Sequence, residues 1–260
     1  MPKNLIQLDP PGTFCMNSAF LRMITPLSEI RTFVEIGPGE GKLSKLLCAK
    51  GLIGTGIDFS EKAVQTLSMC MREEISSGLY RIIQADFVEK EFELQADLVF
   101  SMMVLEHVES DIQFLLKMKH MVKPGGKVVI GAPARMDSWG VEDEVSGHLR
   151  RYEKKDLQVL FERIGLKEVR VWSVGVPIAN FLFGLSNLTI SRSHSTVRKH
   201  LTNEEQTKLS GLRDVPYKNL FPRWTSLILN RYAMAPFLFA QRFFFNTDLG
   251  LALLACGKIE

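Results

Sequence analysis

Closely spaced glycines, three acids and two histidines are the residues of this chain whose types and spacing could do chemistry. Gly37-Pro38-Gly39-Glu40-Gly41 follows a β-branched and apolar run, Phe33, Val34 and Ile36, and precedes a helical pattern from Lys42 to Ala49. A strand, a glycine turn and a helix in that order let the backbone turn sharply and approach a ligand that a Cβ would hold off. A second apolar run, Leu52 to Ile57, ends in Asp58. That is the distance from the glycines at which nucleotide-binding α/β folds place a carboxylate that accepts both hydroxyls of a ribose. Asp86 follows a third run, Tyr80 to Ile83, and His107 follows a fourth, Ala96 to Ser101. His148 lies in a polar loop beyond a fifth, Lys127 to Ala132. An imidazole titrates near neutrality and can take a proton from a hydroxyl.

The elements that position these residues alternate strand and helix, the pattern of an α/β sheet. Ser60 can cap a helix from Glu61 to about Ser76, and a further helix runs from Asp111 to Met121. Lys154 to Ile164 is amphipathic and stops at Gly165, and Glu168 to Val174 is the sixth strand. The dinucleotide fingerprint G-x-G-x-x-G needs its third glycine at position 42, but Lys42 stands there and Gly41 comes one residue early. With Glu35 before the turn, VEIGPGEG resembles motif I of the class I S-adenosylmethionine-dependent methyltransferases, and GIDFS resembles their acidic motif II.

The resemblance implies a Rossmann-like fold: a seven-stranded, mostly parallel sheet with helices on both faces. It implies that Glu35, Gly37, Gly39 and Gly41 shape the methionine and ribose pocket, that Asp58 binds the ribose hydroxyls and that Phe59 beside it also contacts the cofactor. Asp86 would bond the adenine amino group and Phe87 cover its ring, with Ser101 at the end of the fourth strand lining the pocket. On the residues alone, without the upstream motifs, an Asp after a strand reads first as a turn residue or a helix cap.

Ser101 to Val108, ending in Glu106-His107-Val108, also resembles this family, at the point where the chain leaves the sheet below the sulfonium. His107 is a candidate base, or else shapes the helix start and pocket wall with Glu106. Some quinone O-methyltransferases bind a metal through an extra Glu three residues before the Glu-His pair. Met103 occupies that position here, so no metal is expected. Gly147-His148-Leu149-Arg150-Arg151-Tyr152 resembles a G-H-x-R-R-Y element of a bacterial branch of these enzymes (methyltransferase type 11-like). His148 is read as a base for an acceptor hydroxyl, and Arg150, Arg151 and Tyr152 as substrate contacts, the arginines for a carboxylate or phosphate. The alternative is that Arg and Tyr tie the loop down through Asp137, Asp143 or Glu144.

At 260 residues and 46% hydrophobic, the chain can bury a full core. A net charge of +3, from 32 basic and 29 acidic residues, is too balanced to argue for nucleic acid. Four scattered cysteines, with no C-x-x-C pair and no secretory signal, point to the cytoplasm. The divisions expected are a helical cap over 1–31, a core over 32–174, a helical insertion over 175–246 and a final strand over 247–260. In the cap, Pro10-Pro11 reads as a breaker and Asn17 to Glu29 as a helix interrupted by Pro26. The insertion divides into apolar Pro177 to Ile190, polar and basic Ser191 to Asp214, and aromatic Phe221 to Phe245. It suits a lid over a hydrophobic acceptor, a surface that touches membrane lipid, a packing cap or a homodimer interface.

The function expected is methyl transfer from S-adenosylmethionine to an O or N atom of a small or lipophilic metabolite, such as a glycan or lipid precursor. A catalytically silent S-adenosylmethionine-binding subunit would keep the same motifs. A nicotinamide-dependent oxidoreductase is disfavoured by the glycine spacing and the lack of a Tyr-x-x-x-Lys pair.

Overall fold

The computed structural model describes residues 5–182 and 220–260. Of the insertion, the polar stretch Ser191 to Asp214 and the later part of Pro177 to Ile190 lie outside the described residues.

A short strand β1 (Leu5–Gln7) leads into helix α1 (Pro11–Met23). The pair Pro10-Pro11 starts the helix rather than breaking it. Proline in the first turn gives up an N–H that has no helical partner, and its φ is already helical. The helix therefore starts ahead of Asn17 and ends before Pro26. Strand β2 (Thr32–Ile36), α2 (Lys42–Cys48) and β3 (Ile53–Asp58) carry the glycine turn and Asp58. The helix expected from Glu61 to Ser76 is two, α3 (Glu61–Cys70) and α4 (Arg72–Ser76), joined at Met71 with φ −105° and ψ 19°. Ser60 caps α3 as expected, its Oγ accepting from the Ala63 amide.

The chain continues as β4 (Tyr80–Gln84), β5 (Ala96–Met102), α5 (Asp111–His120) and β6 (Val122–Pro133). The loop after β6 holds a one-and-a-half-turn helix, α6 (Val141–Ser146), and is followed by α7 (Lys154–Arg163) and β7 (Lys167–Val174). Strand β8 (Leu220–Pro222), a helix at Arg231–Ala240 and β9 (Ala252–Lys258) complete the described chain.

Seven strands form one sheet in the order β4-β3-β2-β5-β6-β9-β7, with β9 antiparallel to both neighbours and the rest parallel. This is the Rossmann-like arrangement expected, and β1 pairs with β8 in a separate two-stranded ribbon. Strands β2 and β5 and the second half of β6, Val128 to Pro133, are largely apolar and buried because helices cover both faces. On one face, Val34, Val99 and Ile130 pack against Phe114 of α5 and Phe161 of α7. On the other, Phe33, Phe100 and Leu254 pack against Phe20 of α1 and Leu47 of α2. Each such side chain contributes about 1.5–3 kcal/mol of burial, so the strand ends that carry the loops are held firmly. The last part of the insertion docks on α1 and β7: buried Gln241 donates to the Cys15 carbonyl at 3.1 Å, and Phe245 stacks on Trp172 of β7 at 4.3 Å. No helix among the described residues is long and apolar enough to cross a membrane.

Candidate active site

Because β4, β3, β2, β5 and β6 are parallel, their carboxyl ends share one edge of the sheet. That edge gathers Gly37–Gly41, Asp58, Asp86, the turn from Met103 to His107 and the loop carrying His148. The Gly37 amide donates to the Ile57 carbonyl at 2.9 Å, which pins the glycine turn beside Asp58. Gly37, Gly39 and Gly41 have φ of 68°, 56° and 71°, in the left-handed region where a Cβ is costly. A Cβ on Gly37 would come within 2.5 Å of Val104 Cγ2, and one on Gly41 within 2.6 Å of Leu67. Gly37 thus lets the turn meet the end of β5, while Gly41 lets α3 close on α2.

Glu35 is buried near the end of β2. Its carboxylate accepts from Ser44 Oγ in the first turn of α2, and the Tyr80 hydroxyl lies 3.1 Å from that same oxygen. Burial pushes the Glu35 carboxyl up to about 8, against the opposing bonds from Ser44. The unfolded chain loses this proton near the ordinary value of 4.5, the folded chain near 8. The stabilisation from this protonated carboxyl is therefore full below about pH 4.5 and is lost as pH rises to 8. Glu35→Gln is expected to flatten the fall in Tm over that range, a gain of about 1–3 kcal/mol at its upper end. A Tm curve parallel to that of the unmodified chain would refute this account.

Asp58 is buried at the end of β3, where its Oδ1 accepts from the Ser60 amide at 3.0 Å. Burial raises its pKa, against amide bonds from Ser60 and Phe59. Phe59 stands at the rim, 40% exposed. Asp86 is exposed at the end of β4, with Oδ1 accepting from the Val88 amide at 2.8 Å. Phe87, expected over an adenine ring, is instead a core residue. Its ring packs 5.7 Å from Phe92 and edge-on at 5.1 Å to Phe114. Ser101 Oγ donates to the Ile36 carbonyl at 2.8 Å, so it ties β5 to β2 beneath the turn.

The second half of the site is built by the loop after β6. Met103, at φ 56°, turns the chain out of β5 so that Val104 meets Gly37 and Glu106 and His107 follow. Tyr152 pairs with Ala134 across the base of the loop, and the Leu149 amide donates to the Glu106 carbonyl at 2.8 Å. Gly147, at φ 72°, ends α6 and reverses the chain so that His148 lies over the Glu106-His107 turn. The two imidazoles sit edge to face, 4.9 Å apart.

His148 donates through Nδ1 to Asp143 Oδ1 at 2.7 Å. Asp143 is also gripped by Arg151, through Nε at 2.8 Å and Nη2 at 2.9 Å, and by the Gly140 amide at 2.8 Å. Burial favours its neutral form, but the bonds from His148, Arg151 and Gly140 outweigh it and hold the carboxyl down at about 2. Burial, with the nearby His148, lowers His107 to about 4 against a bond to the Gly147 carbonyl.

These contacts correct two expected substrate residues. Arg151 is buried and its remaining donor, Nη1, goes to the Ala134 carbonyl at 2.9 Å. Tyr152 is buried with its hydroxyl donating to the Leu105 carbonyl at 3.4 Å. Both hold the loop, the alternative that the sequence leaves open. Arg150, by contrast, stays partly exposed, bonded to the Glu109 carbonyl and Asp111. Nothing in the sequence singles out Asp143 among the four acids of the loop; the structure does, since Asp143 bonds both His148 and Arg151.

A tight left-handed glycine turn at the end of β2, beside a buried carboxylate at the end of β3, fits a ribose-bearing cofactor at this edge. A cavity lined by Thr32, Ile53, Gly78 and Arg81 lies at the amino ends of the strands, the opposite edge, and holds none of these groups. Glu106, His107 and His148 each offer a ligand atom within 4.8 Å of the others, a group able to hold a metal ion that the sequence does not announce.

A family model described as a methyltransferase domain matches residues 14–171. The chain is 34% identical over 106 residues to a ubiquinone biosynthesis O-methyltransferase of Nitrosomonas europaea, covering 41% of this chain and 45% of that one. A namesake from Pseudomonas paraeruginosa is 32% identical over 103 residues, covering 38% and 43%. The chain thus spans less than half the length of these curated relatives. A phosphoethanolamine N-methyltransferase 2 from Haemonchus contortus, solved with S-adenosyl-L-methionine, has a TM-score of 0.59 at 18% identity, covering 94% of this chain and 52% of that chain.

Proposed function

The chain belongs to the methyltransferase-domain family, whose class I members take S-adenosylmethionine as methyl donor, and we propose that it methylates an oxygen or nitrogen of a small or lipophilic metabolite. The observation that carries this reading is the meeting of two half-sites: Val104 touches the space over Gly37 while its own turn delivers Glu106 and His107 to His148. Relatives named for O-methylation in ubiquinone biosynthesis favour an oxygen on a lipophilic acceptor.

Bound S-adenosylmethionine supplies an activated methyl group on a sulfonium. Transfer is then mostly a matter of in-line positioning and exclusion of water. In this reading the Gly37–Gly41 turn brings its backbone up to the donor, Asp58 accepts from its ribose hydroxyls and Asp86 bonds the adenine amino group. Glu35 acts from below by fixing α2 against β2. His107 and His148 meet the acceptor atom, and Arg150 at the rim meets any anionic group on it. Trp224, Leu227, Tyr232, Phe239 and Phe243 are exposed among Arg223, Arg231 and Arg242. These exposed aromatic and basic residues suit an acceptor drawn from a lipid surface.

Two variants test the halves separately. Asp58→Ala is expected to weaken S-adenosylhomocysteine binding by roughly 2 kcal/mol, through loss of charge-assisted hydrogen bonds. Calorimetry giving unchanged affinity would remove the ribose assignment. His148→Ala is expected to lower turnover by roughly 100-fold or more while leaving that affinity intact. Acceptors are found by incubating metabolite extracts with isotopically labelled donor and separating aqueous from lipid phases. Label in neither phase would mean a silent binding subunit.

A further inference from the structure

We infer that Glu106, His107 and His148 form a binding site for one divalent transition-metal ion of the zinc type. A carboxylate oxygen and one nitrogen from each imidazole lie within 4.8 Å of one another. The Glu106 carboxylate is fully buried, and His148 Nε2 stands 3.9 Å from its Oε1. Ligands about 2.1 Å from a tetrahedral ion stand about 3.4 Å apart, so small side-chain rotations would close the group around one.

Both rings are already oriented for ligation. The Gly147 carbonyl can only accept, so His107 donates to it through Nδ1 at 3.3 Å and carries its lone pair on Nε2. Asp143 accepts the Nδ1 proton of His148 at 2.7 Å and is itself fixed by two bonds from Arg151. Such outer carboxylate and carbonyl partners are what set the tautomer and direction of histidine ligands in metal sites. Two imidazoles and one carboxylate suit zinc and its first-row neighbours, whereas magnesium and calcium take oxygen ligands. Three protein ligands leave at least one position open. The sequence expectation of no metal rests on ligands drawn from one stretch, where Met103 interrupts it. The third ligand comes instead from the loop beyond β6.

This deepens the proposed function and rests on it at one point, that the open position faces the acceptor. An acceptor hydroxyl bound there sheds its proton to water more readily. Its oxygen then forms the new bond to the methyl carbon as the sulfonium–carbon bond breaks, leaving a neutral thioether.

The test uses the full chain, stripped with chelator, then titrated with zinc chloride by calorimetry and with cobalt(II) followed by visible absorption. One equivalent should bind, with the intense visible bands of a four- or five-coordinate cobalt site. Affinity should fall at least about tenfold in His148→Gln and again in His107→Gln. S-adenosylhomocysteine affinity, measured on the same variants, should stay close to that of the unmodified chain and so certify their fold. Failure of the unmodified chain to bind either ion overturns the site, as does binding that both variants retain in full. Methyl transfer is read separately: an ion site lost in the variants supports this inference even if no acceptor is ever labelled, an outcome that counts against the proposed function alone.

Discussion

A Gly37→Ala variant is expected to lose S-adenosylhomocysteine binding by about 100-fold or more and to melt earlier than the unmodified chain. The methyl group meets two obstacles at once. At φ 68° a non-glycine residue carries a strain of about 1–2 kcal/mol. Its Cβ would also stand 2.5 Å from Val104 Cγ2, a distance that real contacts do not show, so something must shift. Val104 has little room to yield, because its turn continues into fully buried Leu105 and Glu106. The shift therefore moves the glycine turn, where the donor is expected, or the Glu106-His107 turn, where the acceptor is expected. Gly51→Ala is the control: its φ is 83°, but a Cβ there meets nothing within 4 Å. That variant should lose about 1 kcal/mol of stability and keep its cofactor affinity. Equal affinities in the two variants would show that the turn at Gly37 is not where the cofactor sits.

The parts of this architecture that are local in sequence are legible from the residues themselves. Parallel strands covered on both faces leave apolar runs, and the loop that follows each run is forced to the same edge. Periodicity and turn residues are therefore enough to place Gly37, Asp58, Asp86 and His148 together. Where side chains at that edge point is a different matter. Phe87 and Asp86 are adjacent, yet Phe87 turns into the aromatic cluster of Phe92 and Phe114 while Asp86 stays out. Nothing in the dipeptide decides between those directions; packing against Phe92 and Phe114 does. Arg151 is a similar case. An arginine in a polar loop suits an anionic ligand or an internal carboxylate equally well. Only the short helix α6, whose end at Gly147 folds Asp143 back toward Arg151, selects the second. The start of α1 is ambiguous for another reason, since Pro10-Pro11 breaks a helix that precedes it but begins one that follows.

Asp143→Ala should be the most damaging single change in the loop, and the way it is rescued separates two roles for this carboxylate. Its side chain is fully buried and bonded to both His148 and Arg151. Removing it strands a guanidinium that is itself buried, at a cost of about 3–5 kcal/mol and a fall in Tm on the order of 10 °C. Turnover should fall as well, but that alone proves little, because a loosened loop would have the same effect. Adding Arg151→Met removes the uncompensated charge and fills similar space, so the double variant should recover most of the lost Tm. His148 in that double variant still lacks the acceptor for its Nδ1 proton and is free to rotate or change tautomer. Turnover should therefore remain down by about 10- to 100-fold, the range expected when an outer partner of a functional histidine is lost. If Tm and turnover return together, Asp143 is a strut for the loop and nothing more. If Tm returns alone, the carboxylate also aims His148 at the Glu106-His107 turn, which is the arrangement that its 2.7 Å bond to Nδ1 already describes.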